Sequence, residues 1–225
     1  YAQFPKAMDA GYLGTASDSN YPVADPYLKW HVAQDAVNQG AALILTSAGQ
    51  AEAMGVPRSQ WVFLHGSGEA MDKPVSLRTD LSRSRAIEVA LGGALASAGK
   101  TASDIAHFDI YSCFPVAVLL AAEALGVDPR TTPLTLTGGL PFAGGAGNNY
   151  SMHAIAAMAQ TLRADPGSHG LVLANGGFLS KEAVGIYSTE EPAGWAPVDY
   201  ASMQAEVDAQ PSPERLEEDA TGIIE

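Results

Sequence analysis

The chain has 225 residues, of which 47% are hydrophobic and 16% charged, a composition typical of a globular protein with one large or two small domains. No apolar run approaches the roughly 18 residues that a membrane span needs, so we expect no transmembrane segment. Twelve basic against 25 acidic residues give a net charge of −13, which repels phosphate groups and argues against a nucleic-acid partner.

The single cysteine, Cys113, excludes an internal disulfide and fits a reducing compartment, so we expect a cytoplasmic protein. No Cys/His cluster indicates a metal site. The chain opens at Tyr1 without a Met or a signal-like segment, and we therefore expect it to be a piece of a longer protein.

The two ends of the chain differ in composition from its middle. Residues 1–34 are rich in Asp, Pro, Tyr and Gly, which is typical of a lead segment or of the end of a preceding unit. Residues 191–225 are predicted to be an acidic linker or tail, since between residues 203 and 225 seven acidic residues stand against Arg215 alone. The domain proper is predicted over residues 35–190.

Strand and helix patterns alternate between these ends. Apolar runs predict five strands, at residues 41–46, 61–65, 107–111, 171–174 and 184–188. Apolar residues at helical spacing predict four helices, at residues 48–55, 81–99, 115–125 and 149–163. Asp80 is the expected N-cap of the second helix, and Gly99 its end. This alternation predicts a layered α/β fold, in which helices cover a mixed, mostly parallel five-stranded sheet and the last two strands form a hairpin.

Three loops follow predicted strands, at the sheet edge where α/β proteins usually bind ligands. They are residues 111–114, the glycine-rich residues 138–149 and residues 175–177. Glycines let backbone N–H groups approach a ligand, and a helix N-terminus adds partial positive charge suited to an anion. The same glycines also suit plain turns, so the loops alone leave both interpretations open.

The order of these motifs over about residues 26–190 resembles the C-terminal half of thiolases, in the sterol-carrier-type branch. Residues 35–47, which read DAVNQGAALILTS, look like the segment that opens this half. Tyr111-Ser112-Cys113-Phe114 falls on the family's Asn-Glu-Ala-Phe or His-Asp-Cys-Phe motif. The family's Gly-Gly, four residues, Gly-His-Pro falls on Gly138-Gly139 and Gly144-Gly145-Ala146, and its Cys-x-Gly-Gly-Gly on Asn175-Gly176-Gly177.

The resemblance implies chemistry on coenzyme A thioesters. In thiolases a thiolate attacks an acyl-CoA, the Gly-His-Pro histidine lines an oxyanion hole, and a second cysteine moves the α-proton. The family's nucleophilic cysteine lies in the N-terminal half, which this chain does not contain. No permanently bound cofactor is implied, only CoA thioester as substrate, and the full-length protein is expected to be a homodimer with room for an additional domain or subunit.

The chain departs from the family pattern at each position that carries this chemistry. Gly145 replaces the histidine, Cys113 is the only cysteine, and Tyr111 stands where the family has Asn or His. These changes would remove ordinary Claisen or thiolytic activity, so we expect this chain alone to be incomplete or inactive.

Three residues are candidate catalytic groups: Tyr111, Cys113 and His153. A Tyr111 phenol with a lowered pKa would exchange a proton with a carbonyl, and a structural hydrogen bond is the other interpretation. Cys113 is either a thiol in the acyl pocket or inert packing. His153 either reaches back into the pocket or stabilises its own helix.

The candidate binding residues are mostly amides and glycines of the three loops. His65 is included because it falls where a loop of relatives contacts pantetheine, although a surface histidine would look the same. The full set is His65, Ser67, Phe114, Gly145, Asn148, Asn149, Asn175, Gly176 and Gly177. The backbone N–H groups of Gly176 and Gly177 would serve as oxyanion donors without any special side chain.

Three functions fit these residues. The first is a thiolase-like acyltransferase module of the acetyl-CoA acetyltransferase type in lipid metabolism. The second is a non-catalytic module that binds acyl-CoA or lipid thioesters, and the third is a retro-aldolase that uses Tyr111.

Overall fold

The structure is a computed structural model that describes residues 2–194, 196–215 and 221. The α-helices in these residues are α1 (Ala10–Gly14), α2 (Ala48–Ala53), α3 (Arg85–Ala98), α4 (Pro115–Leu125), α5 (Leu140–Ala143), α6 (Tyr150–Ala164) and α7 (Tyr200–Asp208). The strands are β1 (Pro22–Ala24), β2 (Tyr27–Leu28), β3 (Phe63–Met71), β4 (His107–Ile110), β5 (His169–Gly176) and β6 (Lys181–Ser188).

The main sheet has four strands in the order β3-β6-β5-β4, and β1 and β2 form a separate small hairpin. The predicted α/β class, the mixed sheet and the terminal hairpin are confirmed. The expectation of a mostly parallel sheet is wrong, because only β4 and β5 run parallel. The short loop at residues 177–180 makes β5 and β6 antiparallel, and β6 pairs antiparallel with β3 as well.

The strand predicted at residues 41–46 is absent, so the predicted count of five is also wrong. This segment is irregular, and the side chains of Ile44 and Leu45 are 88% and 90% exposed. An apolar run forms a strand only where a neighbouring strand accepts its hydrogen bonds, and none of the described residues pairs with it.

The helix α3 starts later than its sequence pattern predicts. Ser84 is the N-cap, because its hydroxyl accepts a hydrogen bond from the Ile87 N–H at 3.3 Å. Asp80, the expected cap, instead accepts a hydrogen bond from the Ser82 N–H at 2.8 Å. The predicted end is confirmed, since Gly99 has a φ of +62° in the left-handed region.

Helices cover both faces of the sheet, and β5 shows how the strands divide the core. Leu171 and Leu173 belong to a cluster with residues of α3 and α4, whereas Val172 belongs to a cluster with Met158 and Leu162 of α6. Alternate residues of a strand point to opposite faces, so β5 contributes to both layers. The sheet is therefore buried between α3 and α4 on one side and α6 on the other.

Part of the predicted acidic linker is an ordered helix. α7 packs on β3 and α3, and Val207 is only 1% exposed. Gly93 of α3 provides the space, since a β-carbon at this position would lie 2.2 Å from the Met203 Cε atom. One glycine contact and one buried valine are too weak a pattern to indicate this helix from sequence. Residues 216–220 and 222–225 of the predicted tail lie outside the described residues.

Candidate functional site

Two of the three predicted loops leave the sheet at the same edge. In the parallel pair of β4 and β5, Ile110 lies beside Leu173. Residues 111–114 and residues 175–177 therefore both begin at the carboxyl ends of neighbouring strands, as the alternation of strands and helices predicts.

The glycine-rich loop is hydrogen-bonded to the first of these loops. The Leu140 N–H donates to the Ser112 hydroxyl at 3.0 Å. The approach is close because residue 139 is glycine, and a β-carbon there would lie 2.8 Å from the Ser112 Oγ atom. Gly139 also has a φ of +78°, which side chains rarely tolerate.

Residues 33–34, upstream in the chain, are hydrogen-bonded both to residues 111–114 and to the glycine-rich loop at Gly145. The Ala33 N–H donates to the Cys113 carbonyl at 3.0 Å, and the Gly145 N–H donates to the Gln34 carbonyl at 2.9 Å. A β-carbon at Gly145 would lie 2.9 Å from Leu140 Cδ2, so little space remains where the family pattern has histidine. Tyr111 and Gly145 thus lie on segments that are joined by hydrogen bonds, and Tyr111 and Gly176 lie at the carboxyl ends of neighbouring parallel strands.

A buried hydrogen-bond network around Asp109 positions the residues that lead into the glycine-rich loop. The Asp109 carboxylate accepts hydrogen bonds from the Leu136 and Thr137 N–H groups at 2.8 and 3.1 Å, and from the Tyr150 hydroxyl at 2.8 Å. Burial raises the pKa of Asp109 and outweighs these hydrogen bonds. Sequence reasoning missed Asp109, although an acid between Phe108 and Ile110 in a buried strand is a usable signal.

Tyr111 lies half-buried at the end of β4, with its ring edge-on to the Tyr150 ring at 5.5 Å. Burial, and to a lesser extent the neighbouring Cys113, raises the pKa of its phenol. The hypothesis of a tyrosine with a lowered pKa is therefore wrong, because a phenolate is poorly solvated here.

Cys113 lies between β4 and α4 and is also half-buried. Burial raises the pKa of its thiol, the Phe114 N–H partly opposes this, and the carboxyl group of Glu182 raises it further. Phe114 is the N-cap of α4 and places no side-chain acceptor on the first-turn N–H groups. The positive end of an 11-residue helix therefore lies beside the cysteine. The Phe114 ring is 41% exposed and contacts Tyr27, with ring centroids 5.5 Å apart.

His153 lies on the first turn of α6, where its Nε2 atom is 2.8 Å from the side-chain nitrogen of Asn149. Both residues are half-buried, whereas Asn148 is exposed. The structure brings His153 and Asn149 together and leaves Asn148 facing solvent.

Asn175, the next candidate binding residue, lies at the carboxyl end of β5. Its side-chain N–H donates to Glu182 Oε1 at 2.9 Å. Gly176 pairs with Lys181 in the hairpin, and Gly177 adopts a φ of +66° in the turn that follows. Glu182 was not predicted, although its inward register with Val184 and Ile186 marks it as a buried acid.

His65 and Ser67 lie away from these loops. The His65 ring is edge-on to His169 at 4.9 Å, and His169 is the first residue of β5, at the opposite end from Asn175. The hydroxyl of Ser67 is 2.7 Å from that of Tyr200 in α7. The structure therefore does not bring these two residues together with the rest of the candidate set.

The described residues contain no group of three or more His, Cys, Asp or Glu side chains that could hold a metal ion. Within the same residues, no helix has the length and apolar character needed to cross a membrane.

The fold was compared with known proteins. No protein-family model matches the chain, and a search of curated proteins found no match. Among solved structures, the crystal structure of a monomeric SCP2-thiolase like protein type 1 from Mycobacterium smegmatis is similar, with a TM-score of 0.87 and 46% sequence identity. The match covers 94% of this chain and 46% of that chain, so this chain spans about half the length of its relative.

Proposed function

Because this chain belongs to the thiolase superfamily, in the branch of the SCP2-thiolase-like proteins, we propose that it forms part of an acyl-CoA site for acyl transfer. The observation that carries the proposal is that residues 111–114 are hydrogen-bonded to the glycine-rich loop and follow a strand that is the parallel neighbour of the strand ending in residues 175–176. These segments fall on the three motifs by which the sequence resembles thiolases, although the family's reactive side chains are replaced.

In the proposed reaction a nucleophile from outside this chain attacks the thioester carbonyl. A tetrahedral intermediate forms, its oxyanion is stabilised by N–H donors, and the CoA thiolate leaves as the acyl group is transferred. This chain's own share is to bind the thioester and to stabilise the oxyanion. The uncapped N-terminus of α4 and the glycine turn at residues 176–177 are suited to both tasks.

The protonation states of the site support this division of labour. Tyr111 and Cys113 both have raised pKa values, so both are neutral near pH 7. A neutral thiol is a weak nucleophile and a neutral phenol a weak base, so neither supplies the reactive group unaided. The same observation argues against the retro-aldolase, which needs Tyr111 to give up its proton easily.

Binding without turnover is the second candidate, and the same raised pKa values favour it. Both candidates bind acyl-CoA, and only the acyltransferase also shows thiolysis. Calorimetry with acetyl-CoA measures binding, and the loss of acetoacetyl-CoA absorbance in the presence of CoA measures thiolysis. We expect binding by the 225-residue chain, with turnover only when the missing nucleophile is supplied by the full-length protein.

Each result separates the candidates. No heat with millimolar acetyl-CoA would overturn the CoA site altogether. Binding by the full-length protein without any thiolysis at high protein concentration would leave the binding module. The relative is described as monomeric, whereas family resemblance predicts a homodimer, and light scattering on the full-length protein tests that prediction.

A further inference from the structure

Glu182 is a buried acid at the sheet edge where residues 111–114 and 175–177 leave neighbouring strands. It lies near the start of β6 and is only 3% exposed. Val184 and Ile186, the next residues on the same face of the strand, belong to the apolar core. A carboxyl group in this row stabilises the fold less than an apolar side chain of similar size would.

The hydrogen bonding of Glu182 is one-sided. Glu182 pairs with Asn175 across the β5–β6 hairpin, and its Oε1 atom accepts the Asn175 side-chain N–H at 2.9 Å. Its Oε2 atom is buried and has no hydrogen-bond partner among the residues that the structure describes. Oε1 therefore binds the Asn175 side-chain amide, and Oε2 makes no hydrogen bond with the described residues.

Three charged or titratable groups on other segments interact with Glu182. Asp72 follows β3, Arg78 lies in the next turn, and Cys113 follows β4, whereas Lys181, the preceding residue of β6, lies on the opposite, exposed face of the strand. Burial and the Asp72 carboxylate outweigh the attraction of Arg78 and raise the pKa of Glu182 to about 9. At neutral pH the proton therefore lies on the carboxyl group, and Oε2 carries it because Oε1 accepts from Asn175.

We propose that Glu182 is a positioning residue of the thioester site: its hydrogen bond fixes the Asn175 amide, whose remaining N–H and carbonyl oxygen are thereby oriented for an acyl-CoA. This inference rests on the function proposed above. Asn175 is half-buried and borders the Gly176–Gly177 turn, whereas Glu182 is covered, so Glu182 acts through Asn175. Its neutral form also keeps a negative charge away from the place where an oxyanion would develop.

The experiment measures acetyl-CoA affinity by calorimetry for the 225-residue chain and four variants. Asn175→Ala and Glu182→Ala are each expected to weaken binding about three- to tenfold at pH 7.5, the effect of losing one hydrogen bond. The double variant is expected to bind acetyl-CoA no more weakly than either single variant, because both substitutions remove the same Asn175–Glu182 hydrogen bond. Glu182→Gln is expected to retain most of the affinity that Glu182→Ala loses, since Gln keeps the acceptor for Asn175.

The pH profile separates positioning from a merely structural role. Wild-type affinity is expected to fall about threefold as the pH rises through the pKa of Glu182, because the ionised carboxylate adds negative charge beside the bound thioester. Glu182→Gln is expected to lose this pH dependence. Glu69→Gln, the same change at an exposed residue of β3, is the matched control and is expected to keep the wild-type profile.

Each contrary result has a distinct meaning. Wild-type protein that binds no acetyl-CoA would overturn the proposed function, and this inference with it. Wild-type affinity in Glu182→Ala, or additive effects of the two alanine changes, would overturn positioning while the CoA site stands. If Glu182→Ala fails to fold, Glu182→Gln still decides, since an unchanged pH profile in that variant would refute the inference.

Discussion

The Tyr150 hydroxyl donates a hydrogen bond of 2.8 Å to the Asp109 carboxylate, and this contact joins α6 to β4. The hydroxyl also lies 2.7 Å from that of Thr137, at the start of the glycine-rich loop. Both residues are buried, Asp109 completely. The position of the loop is therefore set by a buried acid that is not itself part of the candidate site.

Asp109→Ala is expected to destabilise the protein by about 2–4 kcal/mol, because it leaves the Leu136 and Thr137 N–H groups buried without an acceptor. Tyr150→Phe removes one donor and leaves Asp109 its backbone donors, so it is expected to cost less, about 1–2 kcal/mol. Urea denaturation measures both. Asp18→Asn, at an exposed position, is the control, and equal stability of Asp109→Ala and wild type would refute the assigned role.

The sequence predicts the helices of this fold better than its sheet. α3 and α4 each end at a glycine with positive φ, Gly99 and Gly126, and their apolar residues recur at helical spacing. These signals are local. Strand pairing depends on contacts distant in sequence, so nothing in the pattern indicated that β6 lies between β3 and β5. The exposed segment at residues 41–46 has the apolar composition of a strand and lacks only a partner.

The sequence predicted the position of the candidate site, because its loops directly follow predicted strands. The glycine motifs indicated where the chain turns close to its neighbours, and Ser112 beside Gly139 confirms such an approach. The acids behind the site, Asp109 and Glu182, were not predicted, because their roles come from burial and from partners on other elements. His65 was included on a family motif alone, and register within β3 carries it to the far end of the sheet.

A pair of glycine substitutions tests how α3 packs on β3. A β-carbon at Gly68 would lie 2.1 Å from the Ala90 carbonyl oxygen, so Gly68→Ala must push α3 away and is expected to cost about 1–3 kcal/mol. Gly92 lies on the exposed face of α3 with no atom within 4 Å of such a β-carbon. Gly92→Ala is therefore expected to stabilise by about 0.5–1 kcal/mol through helix propensity. Thermal unfolding measures whether each substitution lowers or raises the stability. Unchanged stability of Gly68→Ala would show that α3 does not pack closely on β3 at this position.

The reactivity of Cys113 follows from the raised pKa of its thiol. A smaller fraction of Cys113 should be thiolate at pH 7 than of a solvated thiol, so alkylation by iodoacetamide is expected to be slower than for a solvated thiol. The alkylation rate should rise as the pH becomes alkaline and the thiol ionises. Mass spectrometry follows the reaction without ambiguity because the chain has a single cysteine. The same chain unfolded in urea is the reference, and rapid modification of the folded protein at pH 7 would identify an activated thiol instead.

Glu182 makes the stability of the protein depend on pH in a predictable direction. Its pKa is about 9 in the folded chain and near 4.5 in the unfolded chain, so folding takes up a proton between these values. Below pH 4.5 both states are protonated and Glu182 has no effect, whereas between pH 4.5 and 9 its presence destabilises the fold increasingly as the pH rises. Glu182→Gln removes this titration and is expected to stabilise by about 1–4 kcal/mol at neutral pH, with a gain that grows toward pH 9. Urea denaturation at several pH values measures the difference, and Glu69→Gln supplies the exposed control. A difference between wild type and Glu182→Gln that is constant from pH 5 to 9 would show that the carboxyl group is ionised in the folded protein.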